Sequence, residues 1–157
     1  MIKDDQLTLQ MAELIFNLRQ KCAAKDNYFV KTLEISNAEY NCLVQFFETE
    51  TFSVKELAER LDITSGGVTR IITSLEDRGY IKRTMSSEDR RGIKVTLTEK
   101  GCKIVTEIRE ASLELHSKIL EQIKPEKRKQ ILEAIKRLSS AIDNWLVEHQ
   151  AELKSQK

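Results

Sequence analysis

The chain has 157 residues, with 26 Lys or Arg against 25 Asp or Glu, a net charge of +1 and 40% hydrophobic side chains. That length suits one domain, or one domain with a helical extension, and can bury a core without staples. High but balanced charge excludes a disordered acidic or basic tail, and no apolar run approaches the roughly 20 residues of a membrane span.

Scarcities exclude more. The opening Met1-Ile-Lys-Asp-Asp lacks the basic-then-apolar order of a signal peptide, so a cytoplasmic location is expected. The two histidines, His116 and His149, lie far apart, and Cys22, Cys42 and Cys102 are odd in number with no C-x-x-C spacing. Neither a disulfide framework nor a zinc site is expected. No phosphate-binding or dinucleotide-binding glycine pattern occurs among the 5 glycines. The composition points to a helical binding protein without cofactor rather than an enzyme.

In chain order, a long helix is predicted over roughly Asp5 to Leu33, with Leu7, Met11, Leu14 and Leu18 recurring as one stripe. Ser36 and Glu39 have capping-box spacing and start a second helix, whose buried face is expected to carry Tyr40, Leu43, Val44 and Phe47. A short edge strand is expected near Thr51-Phe52. Ser53 and Glu56 repeat the capping box before Val54, Leu57, Ala58 and Leu61. Asp62-Ile63-Thr64 interrupts, and Thr64 or Ser65 caps a further helix burying Val68, Ile71, Ile72 and Leu75, which Gly79 ends. The period then turns extended: Tyr80 to Thr84 and Ile93 to Leu97 read as strands, with Ile93, Val95 and Leu97 alternating around an open loop from Met85 to Gly92. Two helices close the chain. Ile104, Ile108, Ala111, Leu115 and Ile119 stripe the first; Pro125 opens the second, striped by Ile131, Ile135, Leu138, Ile142 and Trp145.

Two adjacent features carry the functional reading. The helix from Thr64 to Arg78 opposes its apolar stripe with Ser65, Gly66, Thr69, Arg70 and Thr73, where an ordinary solvated face would be rich in Glu and Lys. Small residues allow close backbone approach, and hydroxyls with a guanidinium reach phosphates and base edges, which suits a DNA major groove. The alternative is a tolerant surface helix. The segment Lys82 to Lys94 holds five basic side chains (Lys82, Arg83, Arg90, Arg91 and Lys94) against Glu88 and Asp89, a local net of +3 in a chain of +1. Arginines on such a loop can enter a minor groove, and Asp89 can hold a neighbouring arginine extended by a charge-assisted bond. Taken alone the run would read as a solvated loop; directly after a recognition-like helix it reads as a DNA contact.

The run from Ser53 through Arg83 resembles the winged helix–turn–helix of MarR-family transcriptional regulators, and Ser87-Glu-Asp-Arg-Arg-Gly and Leu97-Thr-Glu-Lys-Gly are similar to the family's wing and post-wing signatures. The resemblance is specific over about Ser53 to Gly101; the flanking helices match in order and length. It implies a dimeric DNA-binding regulator, usually a repressor released by a small ligand or an oxidant. The family's Asp-x-Arg wing motif falls on Asp89 and Arg91, and its recognition contacts fall around Ser65, Thr69, Arg70 and Thr73.

The expected fold is thus mostly α with a small β-hairpin wing: a winged helix–turn–helix over 36–101, flanked by helical dimerisation segments at 1–35 and 102–157. The terminal stripes support this independently, because a lone winged helix needs neither; a homodimer in which both chain ends interlock accounts for them, the alternative being cover for the chain's own core. Leu7, Met11, Leu14, Leu18, Ile135, Leu138, Ile142 and Trp145 are the expected interface. Cys22, close to Arg19, Lys21 and Lys25, is the redox candidate, with a small buried hydrophobe as the alternative for each cysteine. Phe16, Tyr40, Phe46 and Phe47 are expected in core packing, the alternative being an apolar pocket between the dimer and DNA-binding parts. The expected partners are duplex DNA, a second copy and a small effector. The alternative function is a winged-helix protein-interaction module without a DNA site.

Overall fold

The computed structural model describes residues 5–85 and 92–155, with side chains through residue 149. Helix α1 runs Asp5–Thr32. Its first five turns are almost wholly exposed, and Phe29 anchors its end, stacking on Tyr40 at a centroid distance of 6.0 Å. Helix α2, Asn37–Leu43, starts with the full capping box: Ser36 accepts from the Glu39 N–H, and Glu39 accepts from the Ser36 N–H. It then tightens into a 3-10 turn over Val44–Phe47. With three residues per turn instead of 3.6, Phe46 rather than Phe47 follows Leu43 inward. Phe46 is accordingly buried and packs edge-on against Phe52, while Val44 and Phe47 are only half-buried, contrary to the face expected from α-helical spacing.

Strand β1, Thr51–Ser53, is the short edge strand, and α3, Val54–Leu61, carries the second full capping box through Ser53 and Glu56. Asp62 takes a left-handed conformation with φ 51° and closes α3. Thr64, not Ser65, caps α4, Ser65–Asp77, by accepting from the Gly67 N–H. At the far end Gly79 has φ 74°, with the Gly79 N–H on Glu76 O and the Tyr80 N–H on Leu75 O. That paired pattern needs a left-handed residue, which glycine supplies without a Cβ penalty.

Strands β2, Ile81–Met85, and β3, Ile93–Leu97, form the wing's antiparallel pair, and β1 adds to β3, giving the order β1-β3-β2. Ile81 pairs with Leu97, Met85 with Ile93, and Thr51 with Thr96. Val95 and Leu97 are buried; Ile93, at the far end of the hairpin, is exposed and does not continue the core alternation. Helix α5 spans Glu99–Glu121 and α6 spans Pro125–Ser155.

The chain divides into two compact units, 1–110 and 111–157. The first holds the core: Leu43, Leu57, Val68, Ile72, Leu75, Ile81, Val95 and Ile108 are each about fully buried. Burial of a side chain of this kind contributes roughly 1.5–3 kcal/mol. A tight corner joins the wing to α5. Thr98 Oγ1 donates to Gly79 O at 2.6 Å and accepts from the Gly101 N–H at 3.0 Å, while the Thr98 N–H donates to Tyr80 O at 3.0 Å. Lys100 donates to Arg78 O at 2.7 Å and lies over the Tyr80 ring.

The second unit holds the end of α5 and helix α6. Among its described residues none is fully buried. No described helix is long and apolar enough to cross a membrane.

Candidate nucleic-acid interface

Helix α4 buries Val68, Ile72 and Leu75 and turns Ser65, Gly66, Thr69, Arg70 and Thr73 outward, all exposed. The structure thus brings these five sequence-predicted residues onto one face. Thr69 Oγ1 donates to Ser65 O at 2.8 Å, and Thr73 Oγ1 donates to Thr69 O at 2.9 Å. With its proton turned back into the helix, the exposed Thr69 hydroxyl offers acceptor lone pairs, whereas Thr73 Oγ1 also accepts from Arg83 Nη1 at 3.5 Å; both threonines carry a methyl group as well. That chemistry fits base amino groups and thymine methyls. Arg70 has no hydrogen-bond or ion-pair partner among the described residues. A Cβ placed on Gly66 would meet nothing within 4 Å, whereas one on Gly67 would stand 3.4 Å from Thr64 Oγ1. Nothing within the described residues therefore explains a glycine at 66, although glycine weakens a helix by about 1 kcal/mol relative to alanine.

Two ion pairs missed by the sequence reading fix α4 in place. Arg83, at the base of the wing, binds Glu76 of α4 through Nε at 2.7 Å and a second, shorter bond from NH2, and its backbone N–H donates to the same carboxylate at 3.0 Å. The Arg83 side chain, with its backbone N–H, holds Glu76 below the usual carboxylate range. Arg83 is thereby neutralised locally, so the positive charge counted over 82–94 is smaller than the sequence suggested.

The second pair centres on Glu39, the one charged side chain buried among the described residues, at 3% exposure. Burial alone would push its carboxyl up. The Ser36 N–H, the Ser74 and Ser36 hydroxyls and the Arg78 guanidinium outweigh that and hold it below its ordinary value. The capping spacing marked Glu39 in the sequence; its contacts to α4, 35 and more residues away, left no local signal.

Lys94, on β3, is half-buried and its charge helps lower the Glu56 carboxyl, after the Ser53 hydrogen bonds that dominate there. The wing positions Asp89, Arg90 and Arg91 lie outside the described residues. Cys22 is exposed on α1 and Cys102 is half-buried. Cys42 is buried, which pushes its thiol up to about 12 and leaves essentially no thiolate at neutral pH. Phe16, expected in the core, is 51% exposed instead. No group of three His, Cys, Asp or Glu side chains that could hold a metal occurs among the described residues.

A capped two-helix turn, α3 to α4, followed by a β-hairpin on a three-stranded sheet defines a winged helix–turn–helix. Residues 35–93 match the family model described as MarR family. The HTH-type transcriptional regulator SarZ of Staphylococcus haemolyticus is 29% identical over 103 residues, covering 66% of this chain and 70% of that protein. Among solved structures, FabT of Streptococcus pneumoniae, determined in complex with DNA, has a TM-score of 0.79 at 20% identity, over 88% of this chain and 99% of that one. A MarR protein from Peptoclostridium difficile has a TM-score of 0.73 at 18% identity, over 94% and 95%. These two likenesses concern the fold. Over residues 35–93 the chain is therefore similar to the MarR family of winged-helix transcription regulators, a non-enzymatic class, and the comparisons support a DNA-binding regulator of that kind.

Proposed function

We propose that the protein acts as a homodimer on palindromic duplex sites, as a repressor released by a small ligand or an oxidant. The observation that carries the DNA reading is the outer face of α4, where small polar groups, an open glycine and Arg70 stand side by side. In this reading α4 enters the major groove with its N-terminus toward phosphate. Lys94, Arg90 and Arg91 contact the backbone or minor groove, and Asp89 holds Arg91 extended. FabT, which shares the fold, is solved with DNA.

The homodimer rests on exposed apolar stripes. On α1, Leu7, Met11, Leu14 and Leu18 are 49–69% exposed; on α6, Ile135, Ile142 and Trp145 are 42–56% exposed, with Leu138 half-buried between them. Contiguous apolar surface of this kind marks a protein interface, and a second copy supplies the matching stripes. For release, an open cavity of about 290 Å³ lined by Phe46, Phe47, Leu97, Val105 and Arg109 offers a place for a small effector. Cys22 offers an exposed thiol to an oxidant.

Selection from random duplexes supplies the operator, and fluorescence anisotropy across a salt series tests the reading. Six to ten phosphate contacts would lower affinity by about 10³–10⁵ between 50 and 200 mM salt. Arg91→Ala should weaken binding by roughly 1–3 kcal/mol and reduce the salt slope by about 1. A folded protein with no duplex binding, or with salt-independent binding, would support the interaction-module reading instead.

A further inference from the structure

Glu39 does more than cap α2. A cap uses one carboxylate oxygen, and Glu39 Oε2 fills that role by accepting from the Ser36 N–H at 2.7 Å. The other oxygen, Oε1, points to α4. It accepts from Ser74 Oγ at 2.8 Å and forms an ion pair with Arg78 Nε at 3.0 Å. Ser74 and Arg78 lie one helical turn apart, on the flank between the apolar stripe and the outer face. A hydroxyl donor and a guanidinium charge a turn apart, meeting at one buried oxygen, fix both the rotation of α4 about its axis and its position along it. Apolar packing of Val68, Ile72 and Leu75 has no comparable directionality. Helix α2 is in turn held to the end of α1 by the Phe29–Tyr40 stack, next to Glu39 in the chain.

We propose that Glu39 is a positioning residue for the recognition helix: it sets the angle and depth at which Ser65, Gly66, Thr69, Arg70 and Thr73 meet base edges, and so governs sequence discrimination rather than attachment to DNA. The proposal rests on the DNA-binding reading of α4. It makes a separation that simple loss of folding would not. Phosphate contacts tolerate a slightly rotated helix, whereas base contacts do not, so operator binding should suffer while random-duplex binding persists.

The test is Glu39→Gln. Glutamine at this helix position keeps the cap through its carbonyl oxygen, but its neutral amide group then faces the Arg78 guanidinium and cannot pair with its charge. The measurement is the ratio of affinities for the selected operator and for a random duplex, at one salt concentration, with circular dichroism to confirm the fold. Misplacing the helix should cost at least as much as one mismatched base pair, so the ratio should fall roughly tenfold or more, with random-duplex affinity unchanged. Arg78→Met and Ser74→Ala leave the cap intact and should lower the same ratio. On the Arg78→Met background, Glu39→Gln should add little.

Equal losses on both duplexes, an unchanged ratio, or additive effects of Glu39→Gln and Arg78→Met would overturn the proposal. If Glu39→Gln does not fold, unchanged ratios in both Arg78→Met and Ser74→Ala would overturn it. A wild-type ratio near one would instead remove the DNA-reading role of α4, and this proposal with it.

Discussion

Replacing Gly101 by alanine tests how the wing corner holds α5. A Cβ at 101 would stand 1.8 Å from Tyr80 O, 2.9 Å from Tyr80 C and 3.1 Å from Leu97 Cδ2. Ordinary contact begins near 3.4 Å, so Tyr80 O and Gly101 must separate by a further 1.6 Å along that line. The obstacle is backbone, which cannot swing aside as a side chain would. Tyr80 O also accepts from the Thr98 N–H at 3.0 Å and from Thr98 Oγ1 at 3.2 Å, and a displacement of that size breaks both bonds. Each lost bond costs about 1 kcal/mol, and overpacking adds roughly 1–3 kcal/mol. Alanine's better helix propensity returns about 1 kcal/mol. The net expectation is destabilisation by about 2–4 kcal/mol. Urea unfolding at fixed protein concentration measures it, since any assembly makes stability concentration-dependent. Gly101 lies inside α5, so propensity alone predicts the opposite sign. A variant as stable as the parent, or more stable, would refute the steric argument.

Gly66→Ala should behave in the reverse way: nothing obstructs the new methyl, so the free protein should gain up to about 1 kcal/mol while operator affinity falls. Unchanged affinity in an anisotropy titration would remove the close-approach role of that glycine. Leu138→Glu places a charge mid-stripe on α6, where burial in a dimer would cost several kcal/mol. Sedimentation should find monomer or unfolded protein, and a folded, fully dimeric species would move the interface elsewhere. Stability should also decline in acid. Folding depresses the Glu39 carboxyl below its reference of 4.5, so its contribution is present above that value and lost as pH falls through the folded pKa. Glu39→Gln should therefore lose less stability than the parent between roughly pH 5 and pH 3; equal losses in urea melts at the two pH values would contradict the assignment.

Local chemistry was enough to read the elements. Capping boxes at Ser36–Glu39 and Ser53–Glu56, the left-handed Gly79, and the apolar stripes of α3 and α4 each depend on residues within a turn or two of one another, so the order of helices and the outer face of α4 were legible in the chain itself. Three matters depended on the third dimension. The 3-10 tightening after Leu43 exchanged Phe47 for Phe46 in the core, a change of winding that α-helical spacing cannot express. Gly101 is required not by its own backbone angles but by Tyr80 O, which reaches it from another element. Charge was redistributed as well: Arg83 counted as part of a basic wing until Glu76 proved to hold it, and Glu39 counted as a cap until Ser74 and Arg78 arrived at its other oxygen. Capping and periodicity are short-range and written in adjacent residues. Which carboxylate meets which guanidinium depends on how helices and strands pack, and that is decided only once the core has closed.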